Sequence, residues 1–169
     1  LKSQIERLAA ERGESETGVK IGRGGIRDVE YIVQYLQLLH GASVPALKDS
    51  NLFRVLEALE KHGLLNADET DHLRRGYRFL RQVENRIQLN HLRQTHRLPD
   101  DPADLRRIAR GLGHEGAESF RERLAAQSAR IRLVYRRLFE SAAAPAEEEE
   151  RISALLDLPM EAAAPAARE

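Results

Sequence analysis

Cysteine and tryptophan are both absent from the 169-residue sequence. Without thiols the chain has no disulfide, no thiolate nucleophile and no cysteine-ligated zinc. No apolar run is long enough to span a membrane, and the first residues do not have the pattern of a signal peptide. The formal net charge is zero, so no overall field marks the whole chain as a binder of nucleic acid or membrane. We therefore expect a cytoplasmic protein.

The residues that are abundant favour helix. Charged residues make up 32% of the chain and aromatics only 5%, and β-branched and aromatic residues are too scattered to build a sheet. Apolar positions recur at helical spacing between glycines and prolines. This pattern predicts an all-α fold, an antiparallel bundle of about five helices with short loops. The predicted helices cover about 26–39, 52–62, 67–96, 102–112 and 117–141.

Composition divides the chain into three parts. We expect a leading helix or connector over 1–17, the helical bundle over 18–142, and a linker and tail rich in Ala, Pro and Glu over 143–169. Leu1 is not a natural initiator, and the residues after it already have a helical pattern. We therefore expect this chain to be a piece of a longer protein.

Local signals mark several boundaries inside the bundle. Asn66 and Glu69 have the spacing of a capping box, and Asp101 precedes a proline at the first helical position. Residues 19–21 read as a short extended segment. Gly76 lies inside the longest predicted helix, where a glycine weakens the helical pattern.

The most informative stretch is VKIGRGGIRDVEY, residues 19–31. Its glycines lead into a helix N-terminus, where unpaired amides carry the positive end of the helix dipole. Amides and cationic side chains together can hold a phosphate or another anion. The alternative interpretation is a glycine-rich hinge with solvated charges. The candidate residues for this anion-binding or domain-seam site are Lys20, Arg23, Gly24, Gly25, Arg27 and Glu30.

The region from Arg74 to Arg110 is basic, with ten arginines against four acidic residues. An arginine-rich helix can bind phosphates, but a solvated helix with intrahelical ion pairs is the commonest explanation of such charges. The possible secondary contact consists of Arg78, Arg81 and Glu84. We expect no metal site, because the six histidines lack ligand spacing. We also find no complete catalytic set in this chain.

Three stretches resemble a known family. They are VKIGRGGIRDVEYIVQYLQLLHG from residue 19, GYRFLRQVENRIQL over 76–89 and QTHRLPDDPADLRRIARGLG over 94–113. In this order they resemble the glutamine synthetase adenylyltransferase/adenylyl-removing enzymes, over most of 18–139. Tyr31 replaces a commoner Phe of the first motif, and Asn85 replaces a His of the second. The QTHRLP stretch is more similar to the adenylyl-removing half.

The resemblance implies a helical domain that follows a nucleotidyltransferase domain, with residues 20–30 at the seam between them. The Gly-Ser motif and paired Asp residues that hold Mg2+ in that family are not found in this sequence. ATP, ADP, phosphate and Mg2+ are thus implied for the full enzyme, and none is expected on this chain alone. The implied partners are the chain's own nucleotidyltransferase domain, glutamine synthetase and the PII signal protein, in the regulation of nitrogen metabolism.

Two other functions remain open at this point. One is a non-catalytic interaction module that binds glutamine synthetase or PII directly. The other is a nucleic-acid-binding helical domain that uses the basic region between Arg74 and Arg110. Few aromatics accompany those arginines and no nucleic-acid-binding motif occurs, so we do not expect nucleic acid as a partner.

Overall fold

The computed structural model describes residues 18–91 and 96–139, without the side chains of residues 90 and 91. Within these ranges the chain forms five α-helices and no β-strand, which confirms the all-α prediction. The parts predicted over 1–17 and 143–169 lie outside the described residues, so the domain boundaries stay predictions. None of the described helices is both long and apolar enough to cross a membrane. The helices are α1 Ile26–His40, α2 Leu52–Lys61, α3 Ala67–His91, α4 Pro102–Gly111 and α5 Ala117–Phe139, and a short 3-10 helix, Pro45–Lys48, lies in the loop before α2.

Side-chain caps fix the starts of three helices. The Asn51 side chain accepts the first free amides of α2, and the Asp101 side chain does the same for α4. Before α3, the Glu69 amide donates to the Asn66 side chain and the Asn66 amide donates to the Glu69 carboxylate, each at 2.9 Å. This reciprocal pair is the predicted capping box, so the predicted start of the longest helix is confirmed.

The longest helix ends earlier than the sequence predicts. The apolar pattern extends it to His96, whereas α3 is described as far as His91 and His96 is not helical. The carbonyl oxygen of His96 instead accepts a tertiary hydrogen bond, at 3.0 Å, from the amide of Val19. At His96 a contact with a distant segment of the chain thus replaces the predicted helix.

The predicted extended segment at 19–21 is wrong. The amide of Gly22 donates to the carbonyl of Gly18 at 2.9 Å, which closes residues 19–21 into a turn. Only Gly18 makes a bridge of the antiparallel type, with Arg97. Because the neighbouring glycines permit this tight turn, the chain moves directly from the bridge to the start of α1.

The two longest helices, α3 and α5, run antiparallel. The carboxylate of Glu69, near the start of α3, binds the guanidinium of Arg137, near the end of α5. Further along α3, a Cβ on Gly76 would lie 2.7 Å from Cδ1 of Ile131. Gly76 therefore lets the two helices approach closely, which explains a glycine in the interior of a long helix. The largest fully buried side chains are Phe120, Ile26, Ile32, Leu47, Leu56, Leu59, Leu65, Leu73, Leu80, Ile87, Leu105 and Ile108.

A glutamine in this interface is predicted to lower the stability of the fold. Gln127 on α5 is 1% exposed, and within the described residues neither of its side-chain polar atoms has a hydrogen-bond partner. A methionine of similar size would remove the unpaired groups, so we expect Gln127→Met to raise the free energy of unfolding by about 1 kcal/mol in urea titrations. The matched control is Gln37→Met. The Gln37 amide donates to the carbonyls of Leu47 at 2.6 Å and Asp49 at 3.1 Å, so the same substitution there should destabilise. A loss of stability at both positions would contradict this account of Gln127.

Candidate functional site

The backbone of the glycine turn, residues 18–25, is hydrogen-bonded within the chain. Successive amides at the start of α1 donate to carbonyl oxygens of the turn: Gly25 to Gly22 at 2.8 Å, Ile26 to Val19 at 3.2 Å and Arg27 to Lys20 at 3.1 Å. The amide of Gly24 donates to the carboxylate of Asp28 at 2.8 Å. The amides expected to hold an anion are therefore already paired. An anion site at this turn cannot use these amides, so its cationic side chains are the candidate ligands.

Gly24 fixes the turn against α5. Its φ is +72°, in the left-handed region, and a Cβ on it would lie 2.1 Å from the carbonyl oxygen of Ser128. The Asp28 carboxylate that accepts the Gly24 amide is itself buried. The turn is consequently a fixed part of the bundle rather than a hinge on its surface.

A buried carboxylate joins this turn to the long helix. Glu84 on α3 is 3% exposed, and its Oε2 accepts a hydrogen bond from Arg81 at 2.7 Å. Its Oε1 faces two further basic groups, His96 Nδ1 at 2.8 Å and Lys20 Nζ at 4.0 Å. The His96 contact has the distance of an ion pair without the geometry of a hydrogen bond. We call Lys20, Arg81, Glu84 and His96 the Glu84 junction.

A second contact links α1 to α3 beside this junction. The phenol of Tyr77 points at the Glu30 carboxylate, with 3.5 Å between the oxygens, and Arg27 lies 3.9 Å from the other Glu30 oxygen. Burial raises the pKa of Tyr77 above its usual value, and the negative charge of Glu30 raises it further. The phenol therefore stays protonated at neutral pH, where it can donate to Glu30.

Residues of the two predicted sites therefore lie together on one surface, formed where the glycine turn and α1 meet α3. Lys20 meets Arg81 at the Glu84 carboxylate, and Glu30 meets α3 through Tyr77. Arg78 is the exception, because its guanidinium lies 5.5 Å from the ring centre of Phe53 on α2. We did not predict Asp28, Tyr77 or His96 at this site from the sequence. A carboxylate four positions after Gly24 was the available signal for Asp28, while the other two depend on tertiary contacts.

The cations of this surface differ in their pairing. Lys20, Arg27 and Arg81 each lie within 4.0 Å of a carboxylate oxygen. Arg23 is exposed, and within residues 18–91 and 96–139 it takes part in no hydrogen bond or ion pair. Arg23 is thus the member of the predicted set that has its full hydrogen-bonding capacity available for an outside group.

The described part of the chain does not offer a metal site. Its His, Asp and Glu side chains include no group of three or more that could hold an ion. The carboxylates at the centre of the surface are instead engaged by Arg, Lys, His and Tyr side chains. These residues do not fit Mg2+, and no step involving the metal is assigned to them.

Comparison of the sequence with known proteins identifies the family of this chain. A family model described as GlnD PII-uridylyltransferase matches residues 1–139, which include all five helices and the whole polar surface. The chain belongs to this family. The description of this family names a PII-uridylyltransferase, whereas the three motifs resemble glutamine synthetase adenylyltransferase/adenylyl-removing enzymes. The match does not distinguish the adenylyl-removing half of such an enzyme from the other half.

Several similar proteins carry the name bifunctional glutamine synthetase adenylyltransferase/adenylyl-removing enzyme, the kind of protein that the three motifs resemble. The one from Streptomyces coelicolor is 47% identical over 59% of this chain, and the one from Pseudomonas syringae pv. tomato is 41% identical over 82%. The one from Rhizobium meliloti is 39% identical over 85% of the chain. The matched part of this chain spans only 10% to 15% of the length of these relatives.

Proposed function

We propose that this chain is the helical domain of an enzyme that adenylylates glutamine synthetase and removes the adenylyl group again. The observation that carries the proposal is the identity of 39% to 47% with proteins of that name. The family model matches residues 1–139, which include the glycine turn and the helices that hold it. In this proposal the chain supports catalysis on an adjoining nucleotidyltransferase domain, in the cytoplasm, and has no transferase activity alone.

The role of this domain is to present cationic side chains to the adjoining domain. Arg23 reaches out from a turn that Gly24 fixes against Ser128 of α5. Lys20 and Arg27 flank it and stand in the same turn and first helical residues. A rigid turn positions these charges at little entropic cost, which suits the binding of nucleotide phosphates or of an acidic surface. ATP, ADP and phosphate are the anions that this reaction supplies, and the adjoining domain would hold Mg2+.

Within the enzyme, we propose that this chain serves the adenylyl-removing half. The QTHRLP stretch at residues 94–99 favours that half. There phosphate attacks the adenylyl phosphorus, the bond from that phosphorus to the tyrosine oxygen of glutamine synthetase breaks, and the products are ADP and the free tyrosine. One residue of this stretch, His96, belongs to the Glu84 junction, since it contacts Glu84 directly. An intact enzyme whose phosphorolysis is unaffected by changes at this junction, while AMP transfer falls, would reassign the chain to the other half.

A second partner follows from the family description, which names PII uridylylation. PII is therefore a candidate regulator or substrate of the intact protein, besides glutamine synthetase. The two are separated by assaying nucleotidyl transfer to purified glutamine synthetase and to purified PII in parallel. Transfer of AMP to glutamine synthetase supports the main proposal, and transfer of UMP to PII alone would replace it.

The first variant to test is Arg23→Ala in the intact enzyme. We expect phosphorolysis of adenylylated glutamine synthetase to fall about tenfold in kcat/KM, the cost of losing a charged hydrogen bond. The melting temperature should be unchanged, because Arg23 is exposed and makes no hydrogen bond or ion pair within the described residues. The measurement is the rate of ADP formation at limiting glutamine synthetase.

The matched control is Lys61→Ala, which removes an exposed cation at the end of α2, just before the start of α3. The Glu84 junction lies toward the other end of α3, so this change should leave kcat/KM within about twofold. Equal losses for the two variants would indicate a general effect of positive charge. An unchanged rate for Arg23→Ala would remove Arg23 from the seam.

A further inference from the structure

Three basic side chains face the Glu84 carboxylate, and they lie at different distances from it. Oε2 of Glu84 accepts a hydrogen bond from Arg81 at 2.7 Å. Oε1 lies 2.8 Å from Nδ1 of His96 and 4.0 Å from Nζ of Lys20. His96 occupies the near position, and the Lys20 ammonium stays beyond hydrogen-bonding distance. Lys20 is therefore attracted to Glu84 without being bonded to it.

The exposure of the three basic groups adds a second difference. The side chains of Lys20, His96 and Arg81 are 34%, 30% and 45% exposed, while the Glu84 side chain is 3% exposed. Glu84 cannot move to a partner outside the bundle, whereas Lys20 has a flexible stem and an accessible ammonium. The backbone of Lys20 is fixed, because its carbonyl accepts the amide of Arg27 at 3.1 Å. Lys20 can therefore exchange partners through its side chain, while its backbone stays in place.

We propose that Lys20 is an exchangeable cation, held by Glu84 when no anion is present and transferred to a phosphate-type anion when one binds at the glycine turn. Glu84 is then a positioning residue, which keeps the ammonium beside the turn and limits the affinity of the site. The proposal deepens the proposed function and rests on it for the identity of the anion in the cell. The binding step itself requires only this chain.

The physical consequence is competition between Glu84 and the anion for one ammonium. Removing the charge of Glu84 should free Lys20 and strengthen anion binding, even though it weakens the fold. A purely structural role for Glu84 has the opposite consequence, because a loosened turn would bind anions less well. The sign of the change in affinity therefore distinguishes the two roles.

The test uses the 169-residue chain and inorganic pyrophosphate, titrated by calorimetry at low ionic strength. We expect Glu84→Gln to bind pyrophosphate about threefold to fivefold more tightly than the unchanged chain, the scale of one partly exposed ion pair. Lys20→Met should weaken binding by a similar factor. The double variant Glu84→Gln/Lys20→Met should bind like Lys20→Met alone, because the gain passes through Lys20.

The matched control is Glu69→Gln, which removes the charge of the other glutamate that is buried among the described residues. Arg137 binds Glu69 at the far end of α3. Glu69→Gln should leave pyrophosphate affinity unchanged. If Glu84→Gln does not fold, His96→Ala replaces it. This change gives Lys20 sole access to Oε1, so pyrophosphate should bind more weakly than to the unchanged chain.

Three results would overturn the proposal. They are weaker binding by folded Glu84→Gln, a gain that survives the loss of Lys20, and no pyrophosphate binding by the chain at all. None of these results decides the proposed function, which the rates of the intact Arg23→Ala enzyme test separately. Suppose that Arg23→Ala leaves the rate of phosphorolysis unchanged while pyrophosphate binds as expected. The exchangeable lysine would then stand in a protein of another function.

Discussion

Replacing Gly24 by alanine is expected to destabilise the chain by about 3 kcal/mol or more. Two costs add at this position. A φ of +72° is strained for any residue with a Cβ, and the added carbon would lie 2.1 Å from the carbonyl oxygen of Ser128. The obstructing atom is backbone in the middle of α5, so it cannot rotate away. Urea titration followed by circular dichroism measures the loss.

Gly63 offers a matched control for this substitution. Its φ is +69°, nearly the same as that of Gly24, but no heavy atom lies within 4 Å of the position a Cβ would take. Gly63→Ala should therefore cost only the conformational part, about 1 kcal/mol. Equal losses for the two variants would show that the turn does not pack against α5 as described.

Removing the charge of Glu84 should have the second largest effect. We expect Glu84→Gln to lower the free energy of unfolding by about 2 kcal/mol, less than for a fully buried ion pair, because its basic partners are partly exposed and can be solvated. An exposed glutamate on α2, Glu57, is the control. Glu57→Gln should change stability by no more than about 0.5 kcal/mol.

A local measurement shows whether Glu84 joins the separate segments. The amide of Val19 donates to the carbonyl of His96, so it reports the contact between the glycine turn and the chain after α3. Hydrogen exchange at Val19 should become faster in Glu84→Gln by a larger factor than exchange in the middle of α5. A uniform increase across the bundle would mean that Glu84 contributes only to global stability.

Helix boundaries set by neighbouring residues were predictable from the sequence. The capping box of Asn66 and Glu69 and the Asp101 cap act over three residues or fewer, so their spacing is visible in the chain. The end of α3 was not predictable in this way, because His96 is non-helical and accepts a hydrogen bond from Val19, which is distant in the sequence. The turn at 19–21 was misread although the bond that closes it, from Gly22 to Gly18, is local. Val19 and Ile21 alternate with Lys20 as in a short strand, and the glycines around them also permit a turn.

The candidate site divides in a similar way. Its cations and glycines were named from the sequence, because their types and clustering suggest an anion site. The pairing of Lys20 with Glu84 was not predictable, since the two residues are far apart in the sequence. Tyr77 and Glu30 are likewise 47 positions apart and meet only after α1 packs on α3. The amides predicted to be free for an anion are paired for a local reason. The glycines that could expose amides also allow the turn to close and pair them.

Lysine labelling tests the central claim, that the surface around Lys20 faces the adjoining catalytic domain. Lys20, Lys48 and Lys61 lie in the described part of the chain, at separate places on the bundle. Acetylation by acetic anhydride is quantified by mass spectrometry for the 169-residue chain and for the intact protein. The account predicts that Lys20 becomes several-fold less reactive in the intact protein, while Lys61 reacts at an unchanged rate. Equal reactivity of Lys20 in the two proteins would contradict the account.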